Sequence, residues 1–411
     1  MISRILSAEL SGHAGQRVTI AGWVHRRRQL KSVSFLVVRD RAGLAQVVTT
    51  FPDLPGEECV VEITGTVTPN AQAPGGAELT DPEITVLGEA ARPPFELFRP
   101  ELGASLPALL DHAPLALRHP ALRLAQEISA ASVAGFREAL DRLAFTEIHT
   151  PKLVESATES GADVFAVDYF GRRAYLAQSP QFYKQMMVGV FERVYEVGPV
   201  FRAEPHDTAR HLAQYTSLDA ELGFVTDHRD VMAVLREALA GMVESVRRRV
   251  PRARDLLPEV PAEIPAVHFA EVSGEGDLSP ARERELSAWA RREHGSDFLF
   301  VTGYPMAKRP FYTHPDPARP GYSNGFDLLF RGLELVTGGQ RLHRHADYLA
   351  ALAGRGEAAG PYQGYLQAFA YGMPPHGGFA IGLERWTARL TGAANIRQAT
   401  LFPRDLHRLS P

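Results

Sequence analysis

The sequence predicts an α+β protein in which a small N-terminal β-barrel precedes a larger domain of helices and antiparallel sheet. Residues 17–87 are short β-rich runs separated by turn residues, as in a compact all-β barrel. Helical periodicity at 121–143 is followed by strand-like runs that continue to residue 386. Single hydrophobic cores stop growing at about 250 to 300 residues, so a chain of 411 residues should form at least two domains.

The N-terminal barrel is predicted from five runs and one tight turn. The turn covers Asp40 to Gly43, and the runs read VTIAGWVH, SFLVVRD, AQVVTTF, VVEITGTV and EITVLG. Residues 1–50 hold eight basic and two acidic residues, whereas the whole chain has a net charge of −4. A basic surface on an acidic protein suits a polyanion that is bound on one face, and argues against general coating of nucleic acid.

The local composition of the sequence predicts where the domain boundaries lie. We assign residues 1–95 to the barrel and the proline-rich stretch 96–120 to a linker or hinge. The larger domain then covers 121–411. Within it, 227–250 is expected to be one amphipathic helix, and 227–295 is expected to be a small surface insertion.

Strand-like segments of the larger domain lie far apart in the chain. FTEIHTPKL follows the helix at 121–143, and FLFVTGYP, GFDLLFRGLELV and GGFAIGLERW come after residue 295. They imply one antiparallel sheet that is assembled from distant segments.

Cys59 is the only cysteine, which excludes an intrachain disulfide framework and a zinc site built on several cysteines. The N-terminal residues MISRILSAEL lack the apolar region of a signal peptide, and no run of about 18 apolar residues occurs. We therefore expect a reducing, cytoplasmic setting without a membrane anchor.

A long hairpin is predicted from the segment YEVGPVFRAEPHDTARHLAQYTSLDAELGF. Two strand-like runs flank a polar loop at about 204–211. Arg202 and Glu204 alternate onto one face, and Asp219 lies on the corresponding face of the returning strand with Tyr215, Ser217 and Glu221. This face would present an arginine, acids and an aromatic ring, although a solvated strand pair with salt bridges is an alternative.

Three motifs in order resemble those of class II aminoacyl-tRNA synthetases. FTEIHTPKL is similar to motif 1, the hairpin segment to motif 2 and GLERW to motif 3. The similarity to aspartyl-tRNA synthetases covers essentially the whole chain, and the barrel resembles their OB-fold anticodon-binding domain. Because no large extra domain separates motifs 2 and 3, the chain resembles the shorter archaeal-type form.

This resemblance implies an ATP site centred on two arginines. Arg202 would pair with the α-phosphate and stabilise the charge that develops there, and Arg385 would hold the γ-phosphate. A planar guanidinium suits phosphate better than an ammonium does. Further ATP contacts are implied for Glu204, Arg210, His211, Leu212, Tyr215, Glu334, Gly382, Leu383 and Glu384.

The resemblance also implies Mg²⁺ bound to the ATP phosphates. Asp327 and Glu334 would be its carboxylate ligands, and Thr337 keeps the hydroxyl where many relatives have serine. Two acids are sufficient because Mg²⁺ keeps several waters and binds phosphate oxygens. For Asp327 alone, a buried acid beside an arginine is an equally good interpretation.

LAQSPQFYKQ resembles the aspartate-family signature QSPQxxKQ. Lys184 and Arg341 would hold the substrate side-chain carboxylate. A neutral amide would leave these two buried cations unpaired and should be rejected. Asp219 would bind the substrate ammonium, and Glu159 would lie on a loop that closes over the amino acid. The implied aspartate contacts also include Ser179, Gln181, Arg202 and Thr337.

In the barrel, Phe35 is expected to stack on an anticodon base, with Arg28 and Gln46 beside it. The alternative is that Phe35 belongs to the barrel core. Arg26, Arg27 and Lys31 are better interpreted as phosphate contacts.

The implied function is an ATP-dependent aspartate–tRNA ligase that acts on tRNA(Asp), with tRNA(Asn) as a second acceptor in the relaxed form of the family. Asparaginyl-tRNA synthetase and a non-catalytic RNA-binding paralogue are the alternatives. Motif 1 implies a homodimer with Pro151 and the preceding helix at its two-fold interface. One departure is Gln214, where relatives commonly have glutamate.

Overall fold

A computed structural model describes residues 4–155, 163–273 and 278–410. The chain forms two compact units, residues 1–121 and 122–411. The first unit contains a closed five-stranded barrel, and the second contains a large sheet with helices packed against it. The predicted α+β class is confirmed.

The five predicted barrel strands are all present, in the order β1-β2-β3-β5-β4 around the barrel. All neighbours pair antiparallel except β3 and β5, which are parallel. The strands are β1 (Arg17–Gln29), β2 (Ser34–Arg39), β3 (Leu44–Thr49), β4 (Val60–Pro69) and β5 (Ala77–Gly88).

Alternation along these strands separates the barrel interior from its surface. Leu36 and Val38 on β2 are buried in the barrel core, as are Val47 on β3 and Val61 on β4. The predicted turn at 40–43 is present, because the Asp40 carboxylate accepts hydrogen bonds from the backbone of Ala42 and Gly43.

The stretch assigned to a linker contains regular structure. Its two short helices are α1 (Leu106–Asp111) and α2 (Ala113–Ala116). Downstream of them, Arg118 forms an ion pair of 2.7 Å with the buried carboxylate of Glu58, which also binds Arg39 at 2.9 Å. Residues 96–120 are therefore attached to the barrel within the first unit.

An eight-stranded sheet organises the second unit. Its order is β12-β13-β14-β15-β16-β11-β10-β6, with parallel pairs only at its two edges. A separate three-stranded sheet has the order β7-β9-β8. The strands are β6 (Thr146–Glu147), β7 (Leu153–Val154), β8 (Ala166–Tyr169), β9 (Arg172–Leu176), β10 (Arg193–Phe201), β11 (Gln214–Gly223), β12 (Ala266–His268), β13 (Phe298–Thr302), β14 (Gly325–Phe330), β15 (Leu333–Gln340) and β16 (His376–Gly382).

Helices cover one face of the large sheet and form the main core with it. Leu218 and Ala220 of β11 point into this core, together with Phe136, Leu235 and Trp386 from three different helices. The helices of the unit are α3 (Pro120–Arg142), α4 (Gln181–Phe191), α5 (His228–Arg249), α6 (Phe269–Val272), α7 (Pro280–His294), α8 (His345–Gly354), α9 (Gln363–Ala370) and α10 (Leu383–Thr391).

The predicted helix at 227–250 is confirmed as α5, and the Asp227 side chain caps it by accepting the Arg229 backbone N–H. The location of α5 differs from the prediction that residues 227–295 form a small surface insertion. Val231, Leu235 and Met242 are fully buried in the main core, so α5 belongs to the core and is not a surface addition.

The predicted hairpin is formed by β10 and β11, which pair antiparallel from Arg193 with Leu222 to Phe201 with Gln214. Its loop is longer than expected because β10 ends at Phe201. Arg202 therefore lies in the loop with Glu204, and the prediction that these two residues alternate on a strand face is wrong. The strand predicted for GGFAIGLERW ends at Gly382, and the last four residues of this segment begin α10.

Within the described ranges, no helix is both long enough and apolar enough to cross a membrane.

Gly135 is predicted to be essential for the contact between α3 and α5. A Cβ atom at this position would lie 2.3 Å from the Gly241 carbonyl oxygen and 2.8 Å from the Met242 Cα atom. Gly135→Ala should therefore lower the free energy of unfolding by about 1–3 kcal/mol, measured by denaturant unfolding. Gly364→Ala is the control. It adds a methyl group where no atom lies within 4 Å and should stabilise α9 by up to about 1 kcal/mol. Equal effects of the two substitutions would contradict this packing.

Candidate active site and nucleic-acid interface

A cavity of about 470 Å³ in the second unit contains most of the predicted site residues. Glu204, Leu383 and Asp327 are not among its lining residues, and Glu159 lies outside the described residues. The predicted residues that line it are Ser179, Gln181, Lys184, Arg202, Arg210, His211, Leu212, Tyr215, Asp219, Glu334, Thr337, Arg341, Gly382, Glu384 and Arg385.

β11 supplies one wall of the cavity because its side chains alternate. Leu218 and Ala220 enter the helix-covered core, so Ser217, Asp219 and Glu221 point to the opposite face of the sheet. This is the alternation expected from the sequence.

Lys184 lies at the base of the cavity with 1% of its surface exposed. α4 directs its ammonium toward three oxygens of the sheet: the Asp219 carboxylate at 2.9 Å, the Phe379 carbonyl at 3.1 Å and the Glu221 carboxylate at 3.3 Å. The last contact is an ion pair without hydrogen-bond geometry. A buried ammonium with two carboxylate partners is compatible with a charged lysine.

Arg341 is held from the other side by the same Glu221. Its Nε donates to Glu221 Oε1 at 2.9 Å, and its Nη2 donates to the Gly378 carbonyl at 3.0 Å. Burial alone would raise the pKa of Glu221, but Arg341 and Lys184 lower it below its ordinary value. Glu221 therefore bridges the two cations, which already share a buried carboxylate partner within the protein.

Three arginines line the end of the cavity that contains His211. Arg385 Nη1 donates to the backbone carbonyl of Glu334 at 2.9 Å and lies 3.4 Å from its side chain. Arg210 lies 3.3 Å from the carboxylate of Glu283, which the sequence analysis did not select. Arg202 lies over the Tyr215 ring, with 5.6 Å between the guanidinium carbon and the ring centroid. This end of the cavity therefore presents three guanidiniums, two of which have a carboxylate beside them.

His211 is uncharged at neutral pH in this environment. Burial and the neighbouring Arg385 lower its pKa to about 4. Its Nδ1 is 2.6 Å from the Thr208 hydroxyl. His211 can therefore serve as a hydrogen-bonding group, but it adds no charge to the cationic end.

Glu384 connects α10 to β11. Both of its carboxylate oxygens lie 3.0 Å from the Thr216 backbone nitrogen, and burial raises its pKa to about 7. Gln214, two residues earlier, is exposed and does not line the cavity.

The two acids predicted to bind a metal differ in their surroundings. Asp327 is buried and accepts a hydrogen bond of 3.1 Å from Arg309, and its burial raises its pKa to about 6. Glu334 lines the cavity, and its side chain is 38% exposed. The Thr337 hydroxyl lies 3.4 Å from a Glu334 oxygen. The described residues contain no group of three or more His, Cys, Asp or Glu side chains that could hold a metal ion by itself.

In the first unit, the three predicted base-contacting residues share the outer face of the barrel. Arg28 pairs directly with Phe35 across β1 and β2, and Phe35 and Gln46 occupy the same face of β2 and β3. Phe35 is half-buried and lies outside the barrel core, so the core alternative is not supported. The Gln46 amide donates to Glu78 at 2.7 Å, which fixes its orientation.

Comparison with known protein families shows which family the chain belongs to. Residues 107–406 match the model of tRNA synthetases class II (D, K and N), and residues 18–87 match that of the OB-fold nucleic acid binding domain. The chain belongs to the class II tRNA synthetases. The predicted family and enzyme class are thereby confirmed.

Two relatives of this class II tRNA synthetase match along nearly their whole length. Each is named aspartate–tRNA(Asp/Asn) ligase. The one from Thermus thermophilus is 47% identical over 99% of this chain and all of its own, and the one from Deinococcus radiodurans is 45% identical over 100% and 99%.

Solved synthetase structures also superpose along the chain. Asparaginyl-tRNA synthetase from Pyrococcus horikoshii, complexed with asparaginyl-adenylate, has a TM-score of 0.92 and 30% identity, with both chains fully covered. A structure described as a putative aspartyl-tRNA synthetase from Leishmania major has a TM-score of 0.87 and 27% identity, covering all of this chain and 95% of its own. The fold is therefore common to enzymes for two amino acids, and the choice between them depends on individual side chains.

Glu221 was predicted on the correct strand face but was not predicted as a site residue. Its position two residues after Asp219, on the same face of the strand, was the available signal. Glu283 offered no comparable signal, because it lies in a charged helix that was assigned to a surface insertion.

Glu221→Gln should destabilise the protein because it leaves one buried positive charge without compensation. The expected loss is about 3–5 kcal/mol in the free energy of unfolding, measured at pH 7. Glu138→Gln is the control, since Glu138 pairs with Arg248 and Arg249 at the surface, where such pairs contribute about 1 kcal/mol or less.

The same substitution should change the response to acid. Because the folded-state pKa of Glu221 is lowered, its stabilising contribution is present above its ordinary pKa of 4.5 and is lost as pH falls further. The wild-type advantage over Glu221→Gln should therefore shrink below about pH 4.5. An advantage that persists unchanged at pH 3 would contradict the ionised bridge.

Proposed function

We propose that this synthetase activates L-aspartate with ATP and transfers the aspartyl group to the 3′ end of tRNA(Asp). The observation that carries the choice of amino acid is the buried arrangement of Lys184, Glu221 and Arg341. The names of the relatives that match along the whole chain support the same choice.

Charge explains why aspartate should be preferred. Lys184, Arg341, Asp219 and Glu221 together carry no net charge. When an amino acid binds, its ammonium would pair with Asp219, and one positive charge would remain on the other three residues. A side-chain carboxylate neutralises that charge, whereas the amide of asparagine leaves it buried and uncompensated.

The cationic end of the cavity suits the triphosphate. We assign Arg202 to the α-phosphate and Arg385 to the γ-phosphate, with Arg210 and the uncharged His211 beside the chain of phosphates. The aspartate α-carboxylate attacks the α-phosphorus, and pyrophosphate leaves. A ribose hydroxyl of the tRNA end then attacks the carbonyl of the aspartyl-adenylate, and AMP leaves. Neither step needs a side-chain nucleophile, so positioning and charge stabilisation supply the catalysis.

We assign the other ligand contacts from the positions of the residues in and around the cavity. We place the adenine against Tyr215, whose ring lies beside Arg202. Glu384 would act at the nucleotide through the Thr216 backbone that it holds. Ser179, Gln181 and Thr337 line the cavity and are assigned to the bound aspartate.

Mg²⁺ bound to ATP would neutralise phosphate charge. The residues fit an ion held mainly by phosphate oxygens, because Glu334 faces the cavity and Mg²⁺ needs only one or two protein carboxylates. We assign Glu334 as the direct ligand, with the Thr337 hydroxyl beside it. Asp327 would support the site from behind while it holds Arg309.

The outer face of the barrel is the proposed anticodon contact. Phe35 would stack on a base, and the fixed amide of Gln46 would bind a base edge, with Arg28 on the same face. We further propose that tRNA(Asn) is a second acceptor, since the relatives from Thermus thermophilus and Deinococcus radiodurans are named for both tRNAs.

A homodimer is also proposed. The segment after α3 that resembles motif 1 contains the exposed Pro151 and ends at Leu153, which is 47% exposed. Apolar residues that are exposed in one chain are suited to a two-fold interface.

Amino acid-dependent exchange of pyrophosphate into ATP tests the choice of substrate. Aspartate should support exchange with a kcat/KM at least on the order of 10³-fold above that of asparagine. Lys184→Met, which removes the charge but keeps a long side chain, should abolish most of this preference. Exchange that is driven by asparagine and not by aspartate would refute the proposed function.

Phe35→Ala should weaken tRNA charging while it leaves pyrophosphate exchange unchanged. Loss of one stacked base contact of about 1–3 kcal/mol should raise the KM for tRNA(Asp) at least about fivefold. Leu87→Ala removes an exposed aliphatic side chain from β5 and is the control, with no expected effect. The same assay with tRNA(Asn) should show charging as well. Parallel loss of exchange and charging would show instead that Phe35 supports the fold.

A further inference from the structure

We infer that Glu283 is a positioning residue of the nucleotide site, through which Arg210 and the Glu334 segment are held in register. This inference rests on the proposed function, because it concerns the binding of ATP. Glu283 lies in the first turn of α7, which begins after the cap formed by Ser279. It is 4% exposed, although most acidic side chains of that helix lie at the surface.

The carboxylate of Glu283 joins two segments that are distant in sequence. Its oxygens lie 3.3 and 3.4 Å from Arg210 Nη2, and Oε2 accepts the backbone N–H of Glu334 at 3.2 Å. The carbonyl of that same residue accepts from Arg385 at 2.9 Å. A continuous series of polar contacts therefore runs from Arg210 through Glu283 and Glu334 to Arg385.

Both ends of this series line the cavity, but Glu283 does not. It therefore acts behind the ligand and is not expected to touch it. Arg210 also has a buried Nε donor without a hydrogen-bond acceptor among the described residues. A phosphate oxygen in the cavity would accept from the Arg210 donors that Glu283 leaves unused.

The loop that carries Arg210 explains why an anchor is needed. Residues 202–213 connect β10 and β11 without helix or strand, so a long side chain there loses much rotamer freedom when it binds. A buried carboxylate that already orients the guanidinium reduces this cost for ATP. We place aspartate at the other end of the cavity, around Lys184 and Arg341. The KM for aspartate should therefore not depend on Glu283.

The test compares Glu283→Gln with Glu285→Gln in pyrophosphate exchange. Glu285 is exposed on the same helix and pairs only with Arg282 among the described residues, which makes it a matched control. Glu283→Gln should raise the KM for ATP about tenfold, because a charge-assisted contact becomes a neutral one, with the KM for aspartate changed less than twofold. The control should change neither constant.

A double-mutant cycle separates positioning from general support of the fold. In an Arg210→Ala background, Glu283→Gln should raise the KM for ATP by less than twofold. Its charged partner is already absent, and the glutamine oxygen can still accept the Glu334 backbone N–H. Glu283→Asp, which keeps the charge with a shorter reach, should fall between wild type and Glu283→Gln and gives the same comparison if the glutamine variant unfolds.

The inference is overturned if Glu283→Gln leaves or lowers the KM for ATP, if it raises both KM values together, or if its effect in the Arg210→Ala background is undiminished. These outcomes require a wild-type protein that exchanges pyrophosphate with aspartate. Absence of that wild-type activity would instead refute the proposed function.

Discussion

The bridge from Lys184 through Glu221 to Arg341 is the constraint on which the substrate end of the site depends. Three charged side chains are buried there, and each is tolerable only because the others are present. Gly378 makes the arrangement possible, since a Cβ atom at that position would lie 2.0 Å from a Glu221 oxygen. The glycine at this position of β16 therefore leaves the space that the Glu221 carboxylate occupies.

Side chains alternate between the two faces of the large sheet, so one face packs in the core and the other carries the residues of the site. Leu218 and Ala220 face the helices and stabilise the core, while Asp219 and Glu221 point to the opposite face of the same strand, where Asp219 lines the cavity. β15, which is joined to β11 through β16, carries Glu334 and is followed directly by Arg341, and α10 supplies Arg385 just after β16 ends. Rigid strands thus position the charges, and the loop at 202–213, which carries Arg210, needs support from α7.

Local patterns were sufficient to predict the barrel strands, α5 and the hairpin of β10 and β11, because alternation, helical periodicity and turn residues encode each of them. Contacts between distant segments were not predictable in this way. Glu221 meets Arg341 across 120 residues, and Glu283 meets Arg210 across 73. The charged composition of 227–295 suggested a surface segment, but α5 buries one face in the core and α7 turns one acid inward. Sequence patterns show which side chains share a face, whereas ion pairing depends on how the faces meet.

A crystal structure with a non-hydrolysable aspartyl-adenylate analogue tests the central claim most directly. The side-chain carboxylate of the ligand should lie within hydrogen-bonding distance of Arg341 and Lys184, with its ammonium at Asp219 and its phosphate at Arg202. Glu221 should keep its contact with Arg341 in that complex. A ligand whose side chain lies away from both cations, with Lys184 still bound to Asp219 and Glu221 alone, would contradict the account.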